Sequence, residues 1–287
     1  MDPVSLRFLV LLVGVSGVAC LTPTPPPAPM APLGDYPAPD WAACPAGRPE
    51  ADGGRAIDVA IVVDASPSTR EPSGVDVDGD GNVDEFEDGL QALIASPSPD
   101  SILALQLVAV RALVATRPER VRIALVATGA PEAADRSIPA KPSARLVAGL
   151  GSDPTTLIAG LESVHARGPR GASTLSQGLR RAIDALTGDE RPGVRTVLLL
   201  SDTHAPIMES RRDGVIRGDP NLKETVIEAR RLGIVVHAFG MGEALDVPTP
   251  HLLSRTARVT GGRYNEVRKP ALLHCQLANA LAAGSPR

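Results

Sequence analysis

A chain of 287 residues is long enough for about two domains. Its first fifty or so residues lack the pattern of a packed core, which leaves roughly 230 for a single one. With three Phe, two Tyr and one Trp, and no basic stripe, the chain offers no stacking platform or electrostatic footprint for nucleic acid, which is excluded as an expected partner. The net charge of −4 reflects a local feature, because seven carboxylates fall between Asp76 and Asp88 and the remainder of the chain is net positive.

Met1 to Ala19 has a charged start at Arg7, an apolar stretch from Phe8 to Val15 and small residues before Cys20. This is the pattern of a signal peptide, too short to span a bilayer. Val18, Ala19 and Cys20 look like the end of a bacterial lipobox, although Gly17 departs from the usual leucine-like residue; lipidation at Cys20 is the expectation, with ordinary secretion near Cys20 or an uncleaved anchor as the alternatives. Either event leaves Cys44 and Cys275, which an exported chain can oxidise to a bridge; two buried thiols are the alternative. Residues 20–50 read as a lipid-anchored linker, because the prolines from Thr22 to Asp40 favour polyproline II and build no core. Such a spacer would reach up to roughly 60 Å. Residues 51–287 form the expected domain.

Ile57 to Val63 is a nearly continuous apolar, β-branched run, as expected for a central parallel strand covered on both faces. At its carboxyl edge, where open α/β sheets bind ligands, Asp64, Ser66 and Ser68 present hard oxygen donors at alternate positions. Pro67 between the serines deletes an N–H and fixes φ, so it is expected to tune or impair the turn.

An insertion at about residues 70–100 contains Asp76 to Glu87, DVDGDGNVDEFE, which matches the EF-hand calcium loop. Calcium wants six to eight oxygens. Asp76, Asp78 and Asp80 supply side chains, Asn82 its carbonyl, Asp84 a direct or water-mediated contact and Glu87 two oxygens, with Gly81 at the sharp turn. Pro72 and Gly74 argue against a preceding helix, so the loop is read as solitary, followed at most by a helix from Glu85 to Ile94.

Further along, the patterning predicts a buried helix from Ser101 to Thr116, a strand at Val121 to Thr128, a possible strand within Ser143 to Leu150 and a helix from Thr155 to Ala166. A turn, Gly171 to Thr174, leads into an amphipathic helix at Leu175 to Leu186. Arg195 to Asp202 is a second buried strand ending in a carboxylate. Helix, strand, helix, short strand and a last helix carrying Cys275 complete the chain. This alternation gives an α/β fold with a doubly wound, mostly parallel central sheet flanked by helices.

The D-x-S-x-S turn at Asp64, Ser66 and Ser68, with Thr174 and Asp202 following in order, resembles the metal-ion-dependent adhesion site of von Willebrand factor type A domains, over about residues 55 to 285. The resemblance implies that Ser66, Ser68 and Thr174 bind a divalent ion directly while Asp64 and Asp202 act largely through water. It also implies a protein partner that completes the shell with an acidic side chain. Hard, neutral donors suit Mg²⁺ or Mn²⁺ there, and Ca²⁺ suits the inserted loop. The expected function is therefore protein binding at the cell envelope through a lipid anchor, or after secretion. No catalytic role is expected, since the chain has no G-x-S-x-G elbow, phosphate loop or H-E-x-x-H. A calcium-stabilised structural module without metal-dependent binding is the alternative, and a metal-assisted hydrolase a weaker one.

Overall fold

The computed structural model describes residues 32–44, 56–85, 97–129, 144–170, 175–188, 193–202, 208–210, 215–217, 221–242 and 251–283. The signal peptide, Cys20, the helix expected after Glu85, Glu87 and Thr174 lie outside them.

In chain order the elements are β1 (Ile57–Asp64), α1 (Ile102–Thr116), β2 (Val121–Thr128), β3 (Arg145–Ala148), α2 (Pro154–Arg167), α3 (Leu175–Thr187), β4 (Val194–Ser201), β5 (Met208–Ser210), β6 (Val215–Arg217), α4 (Leu222–Arg231), β7 (Val235–Gly240), α5 (His251–Thr260), β8 (Tyr264–Glu266) and α6 (Leu273–Ala283). Among the described residues the main sheet has six strands in the order β3-β2-β1-β4-β7-β8, parallel except for the antiparallel edge strand β3. The doubly wound α/β reading therefore holds. The two-stranded ribbon β5–β6 was not expected, because three-residue strands carry too short a pattern to be read.

β1 is central and all eight of its residues are buried. Period-two alternation sends Ile57, Val59, Ile61 and Val63 into the layer of α1, α2 and α6, and Ala60 and Val62 into the layer of α3, α4 and α5. Asp58 is the charged exception in the run. It is 1% exposed and is held bidentately by Arg122 of β2, directly opposite in register, at 2.8 Å for each bond. Pairing of this kind is what makes a buried carboxylate tolerable.

Helix ends follow the sequence. Ser101 caps α1 by accepting from the Ala104 N–H, and Asp153 caps α2 by accepting from Thr156. At the edge of the sheet, Gly262 lies so close to β7 that a Cβ there would stand 2.0 Å from the Val236 carbonyl oxygen, so only glycine fits.

The amino-terminal stretch corrects one expectation. Residues 32–44, read as part of an unpacked spacer, lie against the domain. Leu33 and Tyr36 are buried in the core beside α1 and α2, and Leu33 N–H donates to Glu162 Oε2 at 3.0 Å. Arg111 of α1 donates to the Leu33 carbonyl and, at 2.6 Å, to that of Tyr36. Cys44 is bonded to Cys275 in α6. Proline content hid this strap, because two well-placed apolar side chains among prolines do not form a periodic pattern.

Candidate functional site

β1 delivers Asp64 to the carboxyl edge of the sheet, where the chain leaves the strand and turns into a short 3₁₀ helix, Pro67–Arg70. Pro67 occupies the first position of that turn, where its missing N–H has no intrahelical partner to lose, so it fits the turn and does not impair it. The turn is held from within: Ser66 N–H donates to Asp64 Oδ1 at 3.0 Å, and Thr69 Oγ1 to the Ser66 carbonyl at 2.8 Å. Ser66 Oγ and Ser68 Oγ lie 3.1 Å apart.

Neighbouring strands fix the Asp64 carboxylate. Thr128 Oγ1, at the end of β2, lies 3.1 Å from Oδ1, and Ser201 Oγ, at the end of β4, lies 3.1 Å from Oδ2. Both hydroxyls donate to the carboxylate oxygens. Gln106 of α1 fixes the backbone of the same residue. Its Oε1 accepts from Asp64 N–H at 3.0 Å and its Nε2 donates to the Asp64 carbonyl at 3.4 Å. Asp202 follows Ser201 and is fully buried at the same edge. Thr174 lies outside the described residues, but both flanks are placed: Arg170 N–H donates to the Ala65 carbonyl at 2.8 Å, and α3 begins at Leu175. The structure thus brings Asp64, Ser66, Ser68 and Asp202 to one edge.

The donor set is chemically consistent with a small, hard cation. Adjacent oxygens around an octahedral ion with bonds of about 2.1 Å stand about 3.0 Å apart. The separation of the two serine hydroxyls is close to that edge length. Both oxygens of Asp64 are already engaged by protein donors, so this carboxylate is placed to orient ligands or water at an ion.

Sequence reading missed Gln106, Thr128, Ser201 and Gly129. Gln106 did leave a signal, as a lone amide within the apolar helix ILALQLVAV. Gly129 has φ +86° and packs on the turn: a Cβ would stand 2.6 Å from the carbonyl carbon and oxygen of Ala65 and from the Ser66 nitrogen.

The acidic loop forms a second cluster. The carboxylates of Asp76, Asp78 and Asp80 offer oxygens within 4.8 Å of one another. Oxygens on opposite sides of a calcium ion with bonds of about 2.4 Å stand about 4.8 Å apart, so the three carboxylates are close enough to share one ion. Asp76 also accepts from Gly79 and Gly81 N–H at 2.6 and 3.0 Å, and Asn82 N–H donates to Asp80 at 2.7 Å. Asp84 Oδ2 accepts from Ser98 Oγ at 2.5 Å. Asp100 anchors the loop: its Oδ1 accepts from Val77 and Asp78 N–H at 2.5 and 3.3 Å, and its Oδ2 from Asp84 N–H at 3.1 Å. The loop also touches the strap, where Gly79 lies against Pro37. Burial, with the Asp78 and Asp100 carboxylates adding to it, pushes the Tyr36 phenol up to about 12. Burial likewise raises the Asp78 carboxyl, with neighbouring carboxylates adding to that shift against the Asp80 backbone hydrogen bond.

This architecture is that of the von Willebrand factor type A fold. No family model matches the chain, and no curated protein does. Solved structures do. BatB from Bacteroides thetaiotaomicron superposes with a TM-score of 0.53 at 13% identity, over 80% of this chain and 98% of that one. A von Willebrand factor type A protein from Catenulispora acidiphila gives 0.52 at 15% identity, over 80% of this chain and 43% of that one. The pilus adhesin SpaC from Lactobacillus rhamnosus GG in its open conformation gives 0.54 at 12% identity, over 83% of this chain and 31% of that one.

Replacing Gly129 with alanine tests the packing of the edge. The strained backbone and forced contact should destabilise the domain by about 1 to 3 kcal/mol and displace the Asp64–Ser68 turn. Urea denaturation and the amide shifts of Ala65 and Ser66 measure both effects.

Proposed function

We propose that this chain is an exported protein-binding domain that holds Mg²⁺ or Mn²⁺ at the sheet edge and engages an acidic side chain of a partner protein. The observation that carries the reading is the pair of serine hydroxyls, 3.1 Å apart, above a carboxylate fixed by Ser66 N–H, Thr128 and Ser201. Ser66, Ser68 and Thr174 would be the direct ligands, with Asp64 and Asp202 orienting them or intervening waters. An ion held mainly by neutral hydroxyls keeps its electrophilic character, so a partner carboxylate is the group that best completes its shell. Nothing in this arrangement requires a reaction, and the role is binding, not catalysis.

A similar fold in a pilus adhesin, and in an aerotolerance-related membrane protein from Bacteroides fragilis (TM-score 0.51, 14% identity, 79% of this chain and 99% of that one), supports an envelope setting. No helix among the described residues is long and apolar enough to cross a membrane. The lipobox-like Val18-Ala19-Cys20 supports attachment through lipid at Cys20.

Asp76, Asp78 and Asp80, with Asn82, Asp84 and Glu87, would bind Ca²⁺ beside this site. Asp100 supplies the connection. It holds the loop backbone, its neighbour Ser101 caps α1, and Gln106 of that helix holds the Asp64 peptide. Calcium is therefore expected to raise partner affinity through α1 and by offsetting nearby negative charge, a coupling of about 1 to 3 kcal/mol.

Asp64→Ala should abolish Mn²⁺-dependent binding of the partner, captured from envelope extract with and without EDTA, while the circular dichroism spectrum is retained. Undiminished metal-dependent capture by that variant would place the ion away from the sheet edge, and a parent chain that captures nothing in an EDTA-sensitive way would leave the calcium-stabilised structural module as the better reading. Glu87→Gln should weaken calcium binding and leave partner affinity indifferent to calcium at fixed Mg²⁺. A full calcium response in that variant would detach the loop from recognition.

A further inference from the structure

The bridge between Cys44 and Cys275 has a third member. His274 Nε2 lies 3.5 Å from Cys44 Sγ, 3.4 Å from Cys275 Sγ and 3.2 Å from the Asp40 carbonyl oxygen. Trp41 meets the ring edge-on with centroids 4.8 Å apart, which fixes its plane, and the ring also hydrogen-bonds the Ala271 backbone. Cys44, His274 and Cys275 are all buried. A carbonyl oxygen only accepts, so with the bridge formed Nε2–H donates to Asp40.

These separations are those of a metal site. Around tetrahedral Zn²⁺, with sulfur at about 2.3 Å and nitrogen or oxygen at about 2.0 to 2.1 Å, sulfur and nitrogen ligands stand about 3.5 Å apart, and nitrogen and oxygen about 3.4 Å. All three distances around Nε2 already fit that figure to within about 0.2 Å. The two sulfurs must separate, to about 3.8 Å, and reduction removes the bond that holds them together.

We propose that reduction of the Cys44–Cys275 bridge converts this cluster into a Zn²⁺ site, with the two cysteine sulfurs, His274 Nε2 and the Asp40 carbonyl oxygen as its ligands. A thiol reductant supplies two electrons and two protons and is itself oxidised to a disulfide, leaving two thiols. Zn²⁺ then displaces both thiol protons, and His274 binds through Nε2 after its ring proton moves from Nε2, where it faces the Asp40 carbonyl, to Nδ1. The disulfide and metal forms exclude each other, since both use the same two sulfurs. Each ties the strap, through Cys44, to α6, so the strap stays attached whether the surroundings are oxidising or reducing. The inference is independent of the adhesion-site reading, because no residue is shared.

The test is Co²⁺ titration of the full chain, oxidised and after anaerobic reduction, followed by displacement with Zn²⁺. The reduced chain should bind one Co²⁺ with thiolate-to-metal charge transfer and the intense visible bands of a tetrahedral centre. The sheet-edge site and the acidic loop offer only oxygen and cannot give that charge-transfer band. The oxidised chain should lack it, Cys44→Ser should lose it, and His274→Ala should weaken binding by more than about tenfold. A reduced chain without the band, a His274→Ala variant of unchanged affinity, or equal affinity in denaturing urea would each overturn the proposal.

Discussion

The binding edge of the sheet depends on how a carboxylate is held at the end of the central strand. Asp64 is 1% exposed, and burying an ion there is costly unless its oxygens are satisfied. Three separate elements meet that need: the turn through Ser66 N–H, β2 through Thr128 and β4 through Ser201. A fourth, α1, fixes the peptide through Gln106. The same bonds that make the carboxylate tolerable leave Ser66 and Ser68 together at the rim, so stability and site geometry have one origin.

Strand β1, the D-x-S-x-S turn, α1 and the buried β4 were legible, because each shows as an unbroken apolar run or as residue types whose chemistry is specific to a position. The partners of Asp64 were less so. Thr128 and Ser201 are ordinary strand-end residues until the parallel register of β1 with β2 and β4 sets them beside one carboxylate. Gly129 reads as a loop glycine, and its need for a positive φ emerges only from the 2.6 Å approach to the Ala65–Ser66 backbone. Non-local contacts of this kind have no sequence period.

The strap and the acidic loop belong to one side of this scheme. Leu33 and Tyr36 extend the core beyond the sheet layers, Arg111 holds their carbonyls, and Pro37 lies over Gly79 of the loop. Asp100 then joins the loop to the start of α1. Changes of charge in the loop therefore act on residues that are continuous, through α1, with the Asp64 peptide, while the Cys44–Cys275 bridge keeps the strap in place.

The most direct measurement is anomalous scattering from crystals of the full chain grown with Mn²⁺ and a soluble carboxylate. The expected result is a manganese peak within about 2.2 Å of Ser66 Oγ and Ser68 Oγ, with the added carboxylate at an open coordination position. Manganese confined to the acidic loop, with none at the serine pair under saturating Mn²⁺, would contradict a metal-dependent binding site at this edge.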